Sequence, residues 1–202
     1  LALGTVLAKS QQNVGVSHRH VKDVHIEADS MNVALQSLAR QYKVVLGVDS
    51  SGARVPAPVR ADVADGSLKD VLDALAASGP GYSWRTEDNG AVHFYNSEVS
   101  QRLSEVNVSR FSIKSAPQIR AFESIQQLPE VRHWVESAHC PLRSPIAIVG
   151  NPPDSDRGDI TFQMSNVPLR KILDELAVRS EDYFWAVNRY ELNGQCFTNI
   201  AF

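Results

Sequence analysis

One pattern in this chain is written twice. Shifted by 101 positions, Leu68, Leu72, Asp73, Leu75, Ala76, Tyr82 and Trp84 fall without a gap on Leu169, Leu173, Asp174, Leu176, Ala177, Tyr183 and Trp185. So long a period points to two related supersecondary units rather than to a solenoid of many short copies. The unit reads as strand, amphipathic helix and hairpin. Leu68, Val71, Leu72, Leu75 and Ala76 stand at i, i+3, i+4, i+7 and i+8, one apolar stripe on a helix. Ser67 with Asp70 three residues on has the spacing of a capping box, and Gly79-Pro80 stops the helix. In the second copy Asn166 is the expected cap, with Pro168 in the first turn. An aromatic strand, an Asn-Gly pair (Asn89-Gly90, Asn193-Gly194) and a further strand follow each helix. Asn-Gly supplies the two positive-φ residues of a type I′ turn, so each copy is expected to end in a β-hairpin.

The remaining segments fit around these units. Residues 1–22 read as a leader or linker, and the opening LALGTVLAKSQQ has either the apolar tail of a signal peptide or an ordinary first strand. Val24–Ala28 alternates as a strand. Met31, Ala34, Leu35, Leu38, Ala39 and Tyr42 mark a helix face capped by Asp29 or Ser30. Val44–Val48 is a short apolar strand ended by Asp49-Ser50-Ser51-Gly52. After a joint at 97–113, Val106, Val108, Phe111 and Ile113 predict a strand with a bulge between 108 and 111. Ile119, Phe122, Ile125 and Leu128 mark one helix, and Val131, Trp134, Val135 and Ala138 mark another. Ile146–Val149 is expected as a strand and Asn151–Asp159 as a loop. The chain of 202 residues is therefore expected to be an α+β protein of two small mixed-sheet domains, 23–97 and 98–202, related by the internal repeat.

The first of these resembles a known family. Ala34-Leu35, Leu38-Ala39, Ser67-Leu68 and Leu72-Asp73-Ala74-Leu75, in the order strand, helix, strand, strand, helix, hairpin, look like the secretin and TonB N-terminal short domain (STN). The second half is then a divergent STN-like βαββαβ(β) domain with an enlarged helical insert. The resemblance rests on core-packing patterns over about a third of the chain, so it speaks to fold more than to function. It implies a periplasmic or secreted module that docks a protein partner in the bacterial envelope, without enzymatic activity. The distant pair Cys140 and Cys196 excludes a CxxC motif and permits one disulfide or two buried free thiols. The envelope resemblance favours the pairing.

Signatures of chemistry are sparse. The chain has no nucleophile elbow, dinucleotide fingerprint or Walker A loop, and no cofactor is expected. A net charge of −3 argues against a nucleic-acid partner, and no apolar run approaches the roughly 18 residues of a membrane span. His18 and His20, the trio His133, His139 and Cys140, and the loop carboxylates Asp154, Asp156 and Asp159 lack the spacing of a metal site. Arg157-Gly158-Asp159 reads as a chance triplet. The recurring pairs Tyr82/Trp84 and Tyr183/Trp185 share strand parity and read as core. A docking module needs a free edge, for which Val44–Val48, Val92–Tyr95 and above all Cys196–Phe202 are candidates, with Phe197, Thr198, Asn199 and Ile200 at the centre. The partner strand would belong to another domain or to a second copy in a homo-oligomer. The alternatives are a free-standing small-molecule or glycan binder with its pocket between the halves, and a hydrolase using the Asp154–Asp159 loop.

Overall fold

A computed structural model describes residues 18–51, 57–79, 81–97, 99, 101–143 and 159–202. In chain order the elements are β1 (His20–Ala28), α1 (Met31–Tyr42), β2 (Leu46–Ser51), β3 (Val59–Ser67), α2 (Leu68–Ser78), β4 (Tyr82–Thr86) and β5 (Val92–Asn96). A 3-10 turn (Leu103–Glu105) leads into β6 (Asn107–Ala116), α3 (Gln118–Gln126), α4 (Pro129–Ala138), β7 (Ile160–Pro168), α5 (Leu169–Arg179), β8 (Phe184–Leu192) and β9 (Gln195–Ala201). The chain is thus an α+β protein with several sheets. None of its helices is long and apolar enough to cross a membrane, among the described residues.

Local chemistry explains the helices. Ser30 caps α1, and the Ser67/Asp70 capping box at α2 is complete in both directions. Leu68, Val71, Leu72 and Leu75 of α2 are buried, as are Leu169, Ile172, Leu173 and Leu176 of α5. The two helices also start alike, because Leu68 N donates to Arg19 O at 2.7 Å and Leu169 N to Val106 O at 2.8 Å. The residue just before β1 or β6 therefore satisfies one of the amides that a helix N-terminus leaves open.

Five strands form the central sheet in the order β4-β5-β2-β8-β9. β2 is parallel to β5 on one side and to β8 on the other, so one sheet holds strands from both of the expected domains, 23–97 and 98–202. Alternation then assigns its two faces to two cores. Leu46, Val48, Phe94, Phe184 and Ala186 pack with α1 and α2. Trp185, Val187 and Ile200 pack with α5, α3 and α4. Each large side chain buried in these cores contributes roughly 1.5–3 kcal/mol before entropy. Two antiparallel ribbons, β1-β3 and β6-β7, flank the sheet.

Several expectations are corrected. β1 begins at His20, inside the segment read as linker, because it pairs with β3 from Ser67 onward. β2 extends through Asp49 and Ser50, which were expected to end it; both are buried and hydrogen-bonded to distant partners. Asn166 does not cap α5, since β7 continues to Pro168 and Asn166 sits within it at φ 54°. The Asn193-Gly194 turn has the two positive φ angles of type I′ (54° and 74°), whereas around Asn89-Gly90 only the glycine is positive. That first hairpin closes a longer loop, in which Asn89 Oδ1 accepts from Ala91 N at 3.1 Å. The register irregularity of β6 lies between Ile113 and Ala116, not between 108 and 111. Ile119 is 56% exposed, leaving the apolar side of α3 to Ala121, Phe122 and Ile125. Tyr183 precedes β8 at φ 54°, so it packs on the first core while Trp185 enters the second. Ile146–Val149 lies outside the described residues.

Candidate functional site

Across the central sheet, Arg85, His93, Gly47 and Trp185 form one row on β4, β5, β2 and β8. Gly47 has no side chain, so the Trp185 indole reaches over β2 and meets His93 edge-on at 5.2 Å between ring centroids. Asp174 of α5 lies above this contact. Its Oδ1 accepts from Trp185 Nε1 at 2.7 Å and lies 2.8 Å from His93 Nε2, while its Oδ2 accepts from Asn89 at 3.2 Å. The first half contains the matching bond, Trp84 Nε1 to Asp73 Oδ1 at 2.9 Å, but at an exposed position. Glu87 and Glu105 then tie Arg85 and Arg170 to this cluster. Burial pushes the Glu87 carboxyl up, but the Arg85 hydrogen bond and the charges of His93, Arg170 and Arg85 outweigh it and hold Glu87 below its usual range. The cluster has no serine or cysteine nucleophile at its centre, and Asp174 and His93 are buried. It joins the halves.

A second polar anchor comes from the joint. Asp49 of β2 is buried and accepts from the backbone and hydroxyl of Ser104. Burial raises its carboxyl above the ordinary value in spite of those bonds.

The candidate docking edge is occupied at its centre. Cys140 and Cys196 are joined by a disulfide, with Cα atoms 4.8 Å apart. The tethered segment runs beside β9: Thr198 N donates to Pro141 O at 3.0 Å, and Arg143 N donates to Thr198 O at 2.8 Å. Phe197, Thr198 and Ile200 are buried and Asn199 is half-buried. Arg143 also lies over the Phe197 ring at 3.8 Å, and Arg189 Nε donates to both sulfurs. A partner strand at Thr198 would have to displace 141–143.

An open groove of about 840 Å³ lies between the joint, β6 and one face of α4. Arg102, Asn107, Ser109, Glu130, His133 and Trp134 line it. Helical spacing puts Glu130, His133 and Trp134 on one side of α4. Glu130 Oε1 accepts from Ser109 N at 2.9 Å and from Ser109 Oγ at 2.5 Å, bonds that hold its carboxyl below the usual range. Three buried polar atoms of these lining residues lack a hydrogen-bond partner: Arg102 Nε, Glu130 Oε2 and Trp134 Nε1. The sequence marked Trp134 only as part of a helix face and His133 only as a weak metal candidate. Nothing in a linear pattern pairs α4 with the joint, so the groove was not legible there.

The other candidates are dispersed. His20 lies 3.3 Å from Asp65, His139 ends α4 in the left-handed region at φ 51°, and Cys140 is committed to the disulfide. Among the described residues no three His, Cys, Asp or Glu side chains gather as metal ligands. Asp154, Asp156, Arg157 and Gly158 lie outside the described residues. The chain matches no family model, no curated protein and no solved structure.

Proposed function

We propose that this chain is a non-catalytic docking module of the bacterial envelope, built from two copies of one βαββ unit, which binds a partner protein. The open groove along α4, walled by the joint and β6, carries this reading as a surface left uncovered among the described residues. The same element order in β3-α2-β4-β5 and β7-α5-β8-β9, with the same alternation of burial along β3 and β7, supports the repeat. The Cys140–Cys196 disulfide fits an oxidising compartment. The rival reading, a small-molecule or glycan binder, draws on the same groove, whose volume falls within the roughly 300–1,000 Å³ of ligand pockets.

The test places a photo-crosslinking amino acid at His133 in the groove, or at Val33, which is exposed on α1. Both variants are irradiated in cells that make the chain natively. Docking predicts a discrete protein adduct from position 133 and none from 33, reproduced with the purified partner. No adduct, or equal labelling from both positions, defeats the reading.

A further inference from the structure

We propose that the Cys140–Cys196 disulfide is an exchange site for a dithiol reductant, with Arg189 holding the thiolate that the exchange releases. Arg189 Nε donates to Cys140 Sγ at 3.0 Å and to Cys196 Sγ at 3.2 Å. A disulfide sulfur carries no charge and accepts only weakly, so a purely structural bridge gives a guanidinium little to bind. A thiolate in the same place forms an ion pair with it, because a cation beside a cysteine favours the ionised sulfur. Among the described residues no carboxylate pairs with Arg189. The strongest partner this cation can have in the core therefore exists only after reduction. Loop closure favours the closed bridge, and Arg189 works against it by favouring the open one.

Exposure decides which sulfur is attacked. Cys140 is 0% exposed, whereas Cys196 is half-buried, so an incoming thiolate reaches Cys196. One thiolate of the reductant bonds to Cys196 Sγ, and the Cys140–Cys196 bond breaks with its electron pair left on Cys140 Sγ, against Arg189. The second thiolate of the reductant then attacks its own sulfur in the mixed disulfide. Cys196 leaves and takes a proton, and the reductant departs as a disulfide, having given two electrons. The other charged groups nearby are Glu191, opposite Cys196 on β8, and His139, which precedes Cys140; both are exposed. Arg189 is thus the charge in contact with the buried sulfur. Opening the bond also unties α4 from β9, where Thr198 holds 141–143 by two backbone bonds, so redox state is felt at this edge of the sheet.

The test equilibrates the full oxidised chain with mixtures of reduced and oxidised dithiothreitol. The oxidised fraction is read by mass after acid quenching and alkylation. Arg189→Met keeps the bulk and removes the charge; it should shift the equilibrium about tenfold toward the disulfide, about 30 mV for a two-electron couple. Arg189→Lys should recover most of that shift. In the wild-type chain the equilibrium should favour reduction increasingly as pH rises, starting below about pH 8.5, where an ordinary thiol is still protonated. Glutathione, a monothiol, stops at the mixed disulfide, which peptide mapping after alkylation should place on Cys196. The proposal is overturned by an unchanged equilibrium in Arg189→Met, by an equal shift in Arg189→Lys, by a flat pH profile below that value, or by glutathione on Cys140. The last two are read on the wild-type chain, so they decide the matter even where a variant fails to fold.

Discussion

The indole of Trp185 occupies the space where Gly47 would carry a side chain: a Cβ built on Gly47 would lie 2.1 Å from Trp185 Cζ2. The two residues face each other across the parallel β2–β8 pair, the seam at which the halves of the chain share one sheet. Gly47→Ala should therefore destabilise the fold by about 1–3 kcal/mol, the usual cost of overpacking. In a Trp185→Leu background the added cost of Gly47→Ala should shrink toward zero. A double-mutant cycle by urea unfolding measures the coupling, and additive costs would refute the contact.

Asp73 and Asp174 make the same bond to a tryptophan in different surroundings. Asp174 is 2% exposed, and truncating it leaves Trp185 Nε1 and the facing imidazole nitrogen of His93 without their shared acceptor. Asp174→Ala should cost about 3–5 kcal/mol, the scale for breaking a buried pair. Asp73→Ala removes an exposed bond and an i,i+4 pair with Lys69, and should cost less than about 1 kcal/mol. Thermal melts of the two variants check the contrast; equal losses would contradict it.

Burial raises the Asp49 carboxyl, so the folded chain holds this proton to higher pH than the unfolded chain does. The stability contributed at this position therefore falls as pH climbs from the ordinary carboxylate range to the raised folded value, and stays low above it. Asp49→Asn retains an acceptor for Ser104 and cannot ionise. It should flatten that slope and raise the melting temperature at neutral pH by a few degrees, since about 1 kcal/mol corresponds to roughly 2–4 °C in a protein of this size. An unchanged pH profile would count against a buried, perturbed Asp49.

Cys140 and Cys196 are separated by 56 positions, and a loop of that length stabilises by about 4 kcal/mol in the chain-entropy model. Reduction should lower stability by that order. It should also speed amide exchange at Thr198 and Arg143, whose N–H groups hold the tethered segment against β9. Thiol titration of the unfolded, unreduced chain should find no free thiols; finding two would remove the tether.

The periodic apolar faces of α1, α2 and α5, the Ser67/Asp70 box and the Asn193-Gly194 turn were all legible in the sequence, because each depends on residues a few positions apart. Even the Asp–Trp pairs were visible at their offset of 101, though not the bond between them. Local rules failed where a distant partner intervened. Asp49 and Ser50 read as turn formers, yet Ser104 and Asn188 keep them in a strand. Asn89 read as a type I′ turn residue, yet its side chain is drawn to Ala91 and Asp174. Only tertiary structure decided that β2 would bond to both halves, that 141–143 would lie along β9, and that α4 would face the joint across a groove. Strand order and groove walls join residues far apart in the chain, and the hydrophobic periodicity that marks each element carries no information about which other element it meets.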